Sequence, residues 1–347
     1  MSIFDLVTSQ EIAAYWTERT QDMSPYPLEE LFPNNKKLGL DLKWIKGAKG
    51  LPVVLKNSAF DAAAVPRARI GFDKLSAEMP YFKESMYIDE EIRQQLNMVL
   101  ETGNQAYIES VLTRVFDDEA NLIESAAVSR ERMRAQAITT GIVAMSSNGQ
   151  TYAYDYGIPA AHKSEVSTSW SDTSSDPIED LRLAQEKIYE DTGVTPTRCI
   201  MNKKTFGYLR KNEKIKKAIY VLSGGIVSDI KPATIKQYLL DELELSVAIL
   251  DKQYKDEAGK NQKYIPDDIV SLLPEGQLGT TWFGTTPQES DLMTSNVANV
   301  SIVDMGVAIT TVQKADPVNV ETIVSQICLP SFEMAEQVYI LDTKQGS

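Results

Sequence analysis

The amino-acid sequence predicts an α+β protein that begins with an extended arm and a projecting β-ribbon. Three prolines keep residues 1–35 extended, since proline fixes its own φ and restricts the preceding residue. Residues 36–80 are rich in Lys, Gly and Val and contain the period-two alternation of half-exposed strands. Residues 104–138 then carry an apolar stripe at helical spacing. Enzymes rarely begin in this order, whereas subunits that reach around their neighbours often do.

Composition limits the possible classes of protein. At 347 residues with 43% hydrophobic residues, the chain can form one large or two medium domains. It contains no apolar run near the ~18–20 residues of a membrane span, and its first residues lack the basic run of a secretory signal. Cys199 and Cys328 lie far apart, which predicts two buried thiols in a reducing cytosol. The net charge of −14 argues against binding nucleic acid over the whole surface.

The arm carries apolar groups that an extended segment cannot bury by itself. Residues 9–19 predict a short helix that Ser9 caps. Burying one large apolar side chain stabilises a protein by ~1.5–3 kcal/mol. We therefore expect the apolar side chains of the arm to dock on a neighbouring subunit; they are Tyr15, Trp16, Leu31 and Phe32.

The ribbon predicts strands over 38–46, 51–55 and 67–74, with a turn at 47–50. Cations along an exposed ribbon discourage edge aggregation and can fix the register against an acidic neighbour. We expect contacts between subunits through these cations, namely Lys43, Lys46, Lys49, Arg67 and Arg69. Their predicted partners are carboxylates on the acidic surface of the long helix, namely Asp117, Asp118 and Glu119.

The second half of the chain predicts a mixed α/β region. Asn148 and Gly149 form the strongest short turn signal and predict a hairpin over 142–158. The polar loop 164–176 marks a domain boundary. Beyond it we predict helices from 176 to 191, from 203 to about 220 and from 232 to 240, and strands at 197–201, 246–250, 269–273, 279–283, 300–312 and 318–341, the last interrupted by Pro330.

No residue pattern indicates catalysis. His162 is the single histidine, it has no nucleophile motif nearby, and we interpret it as a surface or partly satisfied side chain. A zinc site needs several His and Cys residues, and no phosphate-binding glycine motif is present. The basic residues of 203–217 predict a solvated helix face more than a phosphate site. The sequence therefore predicts no catalytic residue, no cofactor and no metal.

Three segments carry a resemblance to a known family. They are Ile-Asp-Glu-Glu-Ile-Arg-Gln-Gln-Leu at 88–96, Ile158-Pro159 after the hairpin, and Lys-Lys-Thr-Phe at 203–206. With the order of elements, they resemble the tailed-phage major capsid proteins of the lambda-type major head protein (coat protein E) family. The resemblance implies the phage capsid (Johnson) fold. Its parts would be an N-terminal arm (1–35), an extended loop (36–80), a peripheral domain with the long spine helix (81–175 and 311–347) and an axial domain (176–310).

The resemblance also implies a function and partners. The chain would assemble with itself, as hexamers and pentamers, into an icosahedral shell around double-stranded DNA. Since only about 35 residues precede the ribbon, scaffolding would come from a separate protein. A portal protein, an optional decoration protein and non-specifically contacted DNA complete the expected partners, with no membrane. The protein would be made in the host bacterial cytoplasm and reside in the virion.

Two other functions remain open from the sequence. An encapsulin-like compartment shell would share the fold and enclose a different cargo. An acidic α/β enzyme that uses carboxylates would form small soluble oligomers with turnover. Electron microscopy of the purified protein discriminates among the three.

Overall fold

The computed structural model describes most of the chain. The described residues are 6–21, 26–46, 73–88, 90–102, 105–147, 149–223, 230–293, 298–316 and 318–344. They divide into two compact units. Unit A takes its residues from 1–42, 76–134 and 280–331, and unit B from 43–75, 135–279 and 332–347.

The described helices and strands follow one another as a mixed α and β chain. The helices are α1 (Ser9–Gln21), α2 (Glu90–Thr102), α3 (Gln105–Thr139), α4 (Pro177–Thr192), α5 (Lys203–Lys211), α6 (Glu213–Ser223) and α7 (Pro232–Leu243). The strands are β1 (Asn34–Lys36), β2 (Asp41–Lys46), β3 (Asp73–Glu78), β4 (Tyr81–Tyr87), β5 (Ile142–Ser147), β6 (Gln150–Asp155), β7 (Lys163–Glu165), β8 (Arg198–Met201), β9 (Ser246–Ile249), β10 (Gln253–Lys255), β11 (Asn261–Lys263), β12 (Ile269–Leu273), β13 (Thr280–Phe283), β14 (Asn299–Val303), β15 (Val307–Ala315), β16 (Val318–Ser331) and β17 (Tyr339–Asp342).

Unit A is organised around β16, a strand of 14 residues. One edge of β16 pairs with β15, and the other pairs first with β4 and then with β13, all antiparallel. The order β1-β13-β16-β15-β14 completes the six-stranded sheet, with β1 parallel to β13. The long helix α3 lies on this sheet, where Gln326 of β16 donates to the Ala126 carbonyl at 2.9 Å. A long apolar stripe needs such a surface, because a helix in a protein gains most of its stability from packing its apolar face.

Unit B is a five-stranded sheet in the order β7-β17-β12-β8-β9. The strand β12 runs antiparallel to β17 and β8, while β7 and β9 add in parallel at the edges. Alternate residues of the sheet join four helices in one core, as period two requires. Its buried members include Cys199 and Met201 of β8, Leu181 of α4, Phe206 of α5 and Leu239 of α7. Two separate hairpins, β5–β6 and β10–β11, complete the strands.

Local chemistry explains where α4 begins and ends. The Asp176 carboxylate accepts a hydrogen bond from the Glu179 amide at 3.3 Å, and Pro177 occupies the first turn. Gly193 ends the helix with φ +72°, a conformation that costs glycine little. The predicted helix over 176–191 and the predicted long helix over 104–138 are both confirmed.

Three sequence expectations differ from the structure. The helix predicted from 203 to 220 is two helices, because Asn212 adopts an extended backbone and its side-chain oxygen caps Ile215 of α6 at 3.1 Å. The strand predicted over 300–312 turns back at Asp304 and Met305, which have positive φ. Pro330 does not interrupt β16, since beyond Ile327 that strand pairs only with β13.

The structure does not test the predictions for most of the ribbon and for the division into domains. β2 and β3 form a two-stranded sheet where the ribbon begins and ends, but the predicted strand at 51–55, the turn at 47–50 and most of 67–74 lie outside the described residues. Residues 280–310, assigned from the sequence to an axial domain, are grouped with unit A. The division into arm, extended loop, peripheral domain and axial domain stays a prediction.

Candidate assembly surfaces

The arm helix α1 is held on its own unit by polar contacts, some of them half-exposed. Trp16 is 3% exposed, and its indole nitrogen donates to Asp304 Oδ1 at 3.4 Å. The hydroxyl of Tyr15 donates to Asp117 Oδ1 at 2.7 Å, and Arg19 reaches the same carboxylate at 3.2 Å. These bonds fix α1 on α3 and on the turn between β14 and β15.

The segment that follows α1 is also buried within unit A. Leu31 is 7% exposed and Phe32 is fully buried. The amide of Leu28 donates to Glu131 Oε1 at 3.0 Å, and Thr281 donates to the Phe32 carbonyl at 2.9 Å. The burial of these apolar groups therefore needs no neighbouring subunit. A place for Tyr15, Trp16, Leu31 and Phe32 in contacts between subunits stays a prediction.

One buried arginine links the arm, α3 and β13. Arg134 is 1% exposed. Its guanidinium donates to Thr281 Oγ1 at 2.9 Å and to Asn34 Oδ1 at 2.6 Å. It also lies 3.3 Å from Glu131 Oε2 and 3.5 Å from Glu29 Oε2. Five donors in a planar fork suit arginine to such a node. Burial lowers the pKa of Arg134, and the two carboxylates oppose that shift.

The predicted acidic surface on α3 consists of three residues with different environments. Asp117 binds Tyr15 and Arg19, and Asp118 is exposed. Glu119, which we expected on the surface, is 1% exposed, and burial raises the pKa of its carboxyl to about 7. The Thr322 hydroxyl opposes this shift in pKa, and the charge of the neighbouring Asp118 adds to it.

The position of Glu119 could have been found from helical spacing. Val115, Leu122 and Ala126 are buried on α3, and position 119 lies three or four residues from its neighbours in that series. The acidic side chain therefore occupies a place in the apolar stripe. Its identity as a carboxylate led to the wrong expectation of a solvated position.

The predicted cations of the ribbon are only partly visible. Lys43 is exposed on β2. The side chain of Lys46 is outside the described part of the chain, as are Lys49, Arg67 and Arg69. Their contacts with Asp117, Asp118 and Glu119 of another subunit stay a prediction.

His162 is buried, so a surface position is wrong, but the alternative interpretation as a partly satisfied side chain is confirmed, since Nε2 has a partner and Nδ1 has none among the described residues. It is 1% exposed, its Nε2 lies 3.0 Å from Asp191 Oδ2, and its ring stacks on Tyr339 at 6.2 Å. The Lys187 ammonium first, and then His162, hold the pKa of Asp191 below its usual range. His162 lies between a short turn and α4, where its imidazole fills space inside unit B, so its role is structural.

Both cysteines are buried free thiols, as predicted. Burial raises the pKa of each thiol to about 12. Such thiols are poor nucleophiles, since the thiolate is the reactive form. Within the described ranges, no group of three or more His, Cys, Asp or Glu residues could hold a metal ion. No helix that the structure describes has both the length and the hydrophobicity needed to cross a membrane.

The basic residues at 203–217 divide into paired and unpaired cations. Lys204 lies within 3.4 Å of Asp267 and Asp268, and Lys214 lies 2.7 Å from Asp176. Lys203, Lys211 and Lys216 form no ion pair with any described residue. Sequence reasoning found this cluster but not the acidic face of α4 on the same unit, which carries exposed carboxylates beside exposed Leu183 and Tyr189.

Comparison with known proteins gives one family. The model of a family described as phage major capsid protein E matches residues 8–342. No curated protein matches the chain.

Comparison with solved structures gives the same fold at low identity. A protein assigned to the capsid of a prophage in E. coli CFT073 is 17% identical with a TM-score of 0.60, over 97% of this chain and 99% of the other. A phage-related protein from Bordetella bronchiseptica RB50 is 15% identical with a TM-score of 0.53, over 98% and 99%. The capsid of cyanophage A-1(L) is 11% identical with a TM-score of 0.51, over 92% of each chain.

Proposed function

The chain belongs to the phage major capsid protein E family, and from this membership we propose that it builds an icosahedral shell around double-stranded phage DNA. The family predicted from the sequence is thereby confirmed, and so is the phage capsid fold. The match over residues 8–342 is the observation that carries the function, because it spans both compact units. The protein is a structural capsid subunit, which implies that it is not an enzyme.

The proposed assembly consists of hexamers and pentamers of this chain. Weak contacts repeated around such rings add through multivalency, so no single contact needs to be strong. The proposed partners beyond the shell are a separate scaffolding protein, a portal protein, an optional decoration protein and the packaged DNA. A net charge of −14 suits a shell that touches DNA without adhering to it. The subunit would be made in the host bacterial cytoplasm and end in the virion.

Electron microscopy tests this proposal directly. The chain is produced in a bacterium together with the structural proteins encoded beside it, and the particles are purified by sedimentation. We expect closed icosahedral shells that contain DNA when the packaging proteins are present. Shells that hold protein cargo and never DNA would favour an encapsulin-like compartment. Small soluble oligomers without any shell would overturn the proposal.

The ribbon cations are proposed contacts between neighbouring subunits. Exposed ion pairs are worth only ~0–1 kcal/mol each, but a shell repeats them in every ring. Reversing Lys43, Lys46 and Lys49 to Glu should therefore lower the yield of shells without unfolding the subunit. Raised salt should weaken the same contacts. Normal assembly of the triple variant would remove the ribbon cations from the interface.

A further inference from the structure

One face of α4 in unit B is acidic, and two of its carboxylates have no ion-pair partner in the described chain. Glu179, Leu183, Glu186 and Glu190 are exposed and recur every three or four residues, so they form one stripe. Glu179 forms an ion pair with Arg182 at 2.7 Å, but Glu186 and Glu190 form no ion pair with any described residue.

Apolar groups lie on the same face of the helix. Leu183 is 54% exposed, and Tyr189 on the flank of the stripe is 57% exposed. A purely solvated helix face has little use for a large aliphatic and a large aromatic side chain beside its charges. Exposed apolar area framed by charged residues is typical of a contact surface.

Three lysines on α5 and α6, together called the basic face, have the opposite charge. Lys203 and Lys211 are exposed on α5, eight residues apart, and Lys216 follows on α6. None of the three pairs with a carboxylate among the described residues, although their neighbours Lys204 and Lys214 do. Unit B therefore presents two unsatisfied carboxylates on α4 and three unsatisfied ammonium groups on α5 and α6.

We propose that the acidic face of α4 docks on the basic face of α5 and α6 of a second copy of this chain. This inference rests on the proposed function, because it names the surface through which copies meet. Opposite charges steer the two faces together and suppress wrong pairings. A two-fold contact through α4 would place carboxylates against carboxylates, so that arrangement is disfavoured.

The proposed contact joins two different patches and is therefore head to tail. Such an interface generates closed rings or open filaments, whereas a two-fold interface stops at a dimer. The charge pattern thus selects ring formation from the possible arrangements of copies. Leu183 and Tyr189 would lose water in the contact, while Glu186 and Glu190 would meet Lys203 and Lys211.

Charge exchange tests the proposal. The variants E186K/E190K and K203E/K211E each give unit B two faces of like charge. Each should lower the yield of shells roughly tenfold, since two reversed contacts recur at every interface of the ring. The quadruple variant restores opposite charges on the two faces and should recover most of the yield. Circular dichroism and thermal unfolding of the subunits verify that each variant folds.

A matched control for E186K/E190K is D251K/E257K, which changes the charge by the same amount on exposed residues outside α4, α5 and α6. It should assemble like the wild type. If the wild type forms shells and either double variant does so equally well, the docking surface is wrong while the proposed function stands. If K203E/K211E shells form normally but enclose less DNA, the basic face contacts nucleic acid and the docking proposal is overturned. If the wild type forms no shells, both proposals fall.

Discussion

Replacing Glu119 by Gln should stabilise the isolated subunit at pH 8. The side chain is 1% exposed on α3, and burial raises the pKa of its carboxyl from 4.5 to about 7. Glutamine has nearly the same shape and cannot ionise. The substitution therefore removes the cost of a buried charge and leaves the packing against β16 in place.

The size of the effect follows from the pKa. Each pKa unit corresponds to 1.36 kcal/mol, so the shift is worth on the order of 3 kcal/mol. The folded state binds the proton more tightly than the unfolded state. The free energy of unfolding of the wild type therefore falls as pH rises from about 4.5 to about 7, and the full cost applies above that window. E119Q should lose this pH dependence.

Urea denaturation of unassembled subunits at pH 5 and pH 8 measures the difference. At pH 8 we expect E119Q to gain up to ~3 kcal/mol, which corresponds to a melting temperature roughly 4 °C higher for a chain of 347 residues. At pH 5, near the start of the window, the gain should fall below about 1 kcal/mol. The control is D118N on the same turn, where an exposed carboxylate is removed and little should change. An E119Q subunit that is no more stable than the wild type at pH 8 would refute the reasoning.

Three further substitutions test the packing of unit A, each by urea denaturation of the subunit. Arg134→Ala should cost about 3–5 kcal/mol, because it leaves a buried glutamate without its cation; a loss below 1 kcal/mol would contradict the network. Trp16→Ala should cost about 3–5 kcal/mol through the cavity it opens, and unchanged stability would mean that α1 is not docked. Gly306→Ala should cost about 1–3 kcal/mol, since its Cβ would lie 2.6 Å from the Phe283 side chain. Gly207→Ala, where the new Cβ meets nothing within 4 Å, should not destabilise α5.

The sequence determined the helices with strong local signals. Apolar residues at helical spacing predict α3, because a helix that is buried on one side produces that spacing. Asp176 and Gly193 mark the two ends of α4. The break between α5 and α6 at Asn212 was not predicted, because the apolar spacing continues across it. An asparagine in such a pattern caps a new helix only when the chain bends there. Its side-chain nitrogen bonds the Ser175 carbonyl at 3.0 Å, a contact that no local pattern predicts.

The surfaces were harder to predict than the elements. From the sequence, Trp16 and Phe32 were expected to dock on a neighbouring subunit, since nothing in the arm could cover them. Their cover comes from α3, β13 and the β14–β15 turn, which lie a hundred or more residues away in sequence. Such long-range contacts decide which side chains are buried. Composition and periodicity alone therefore could not distinguish a segment that packs on its own subunit from one that packs on a neighbour.

The Arg134 node sets the order in which unit A can be completed during synthesis. The Phe32 carbonyl cannot accept its hydrogen bond until Thr281 has been synthesised, which is 249 residues later. At ~5–20 residues per second this interval lasts roughly 12–50 s. Throughout it, Phe32 lacks its contact with β13, and β16 is made later still. The segment around Phe32 thus stays incompletely packed for most of translation, which makes it a target for holding chaperones before any shell contact can form.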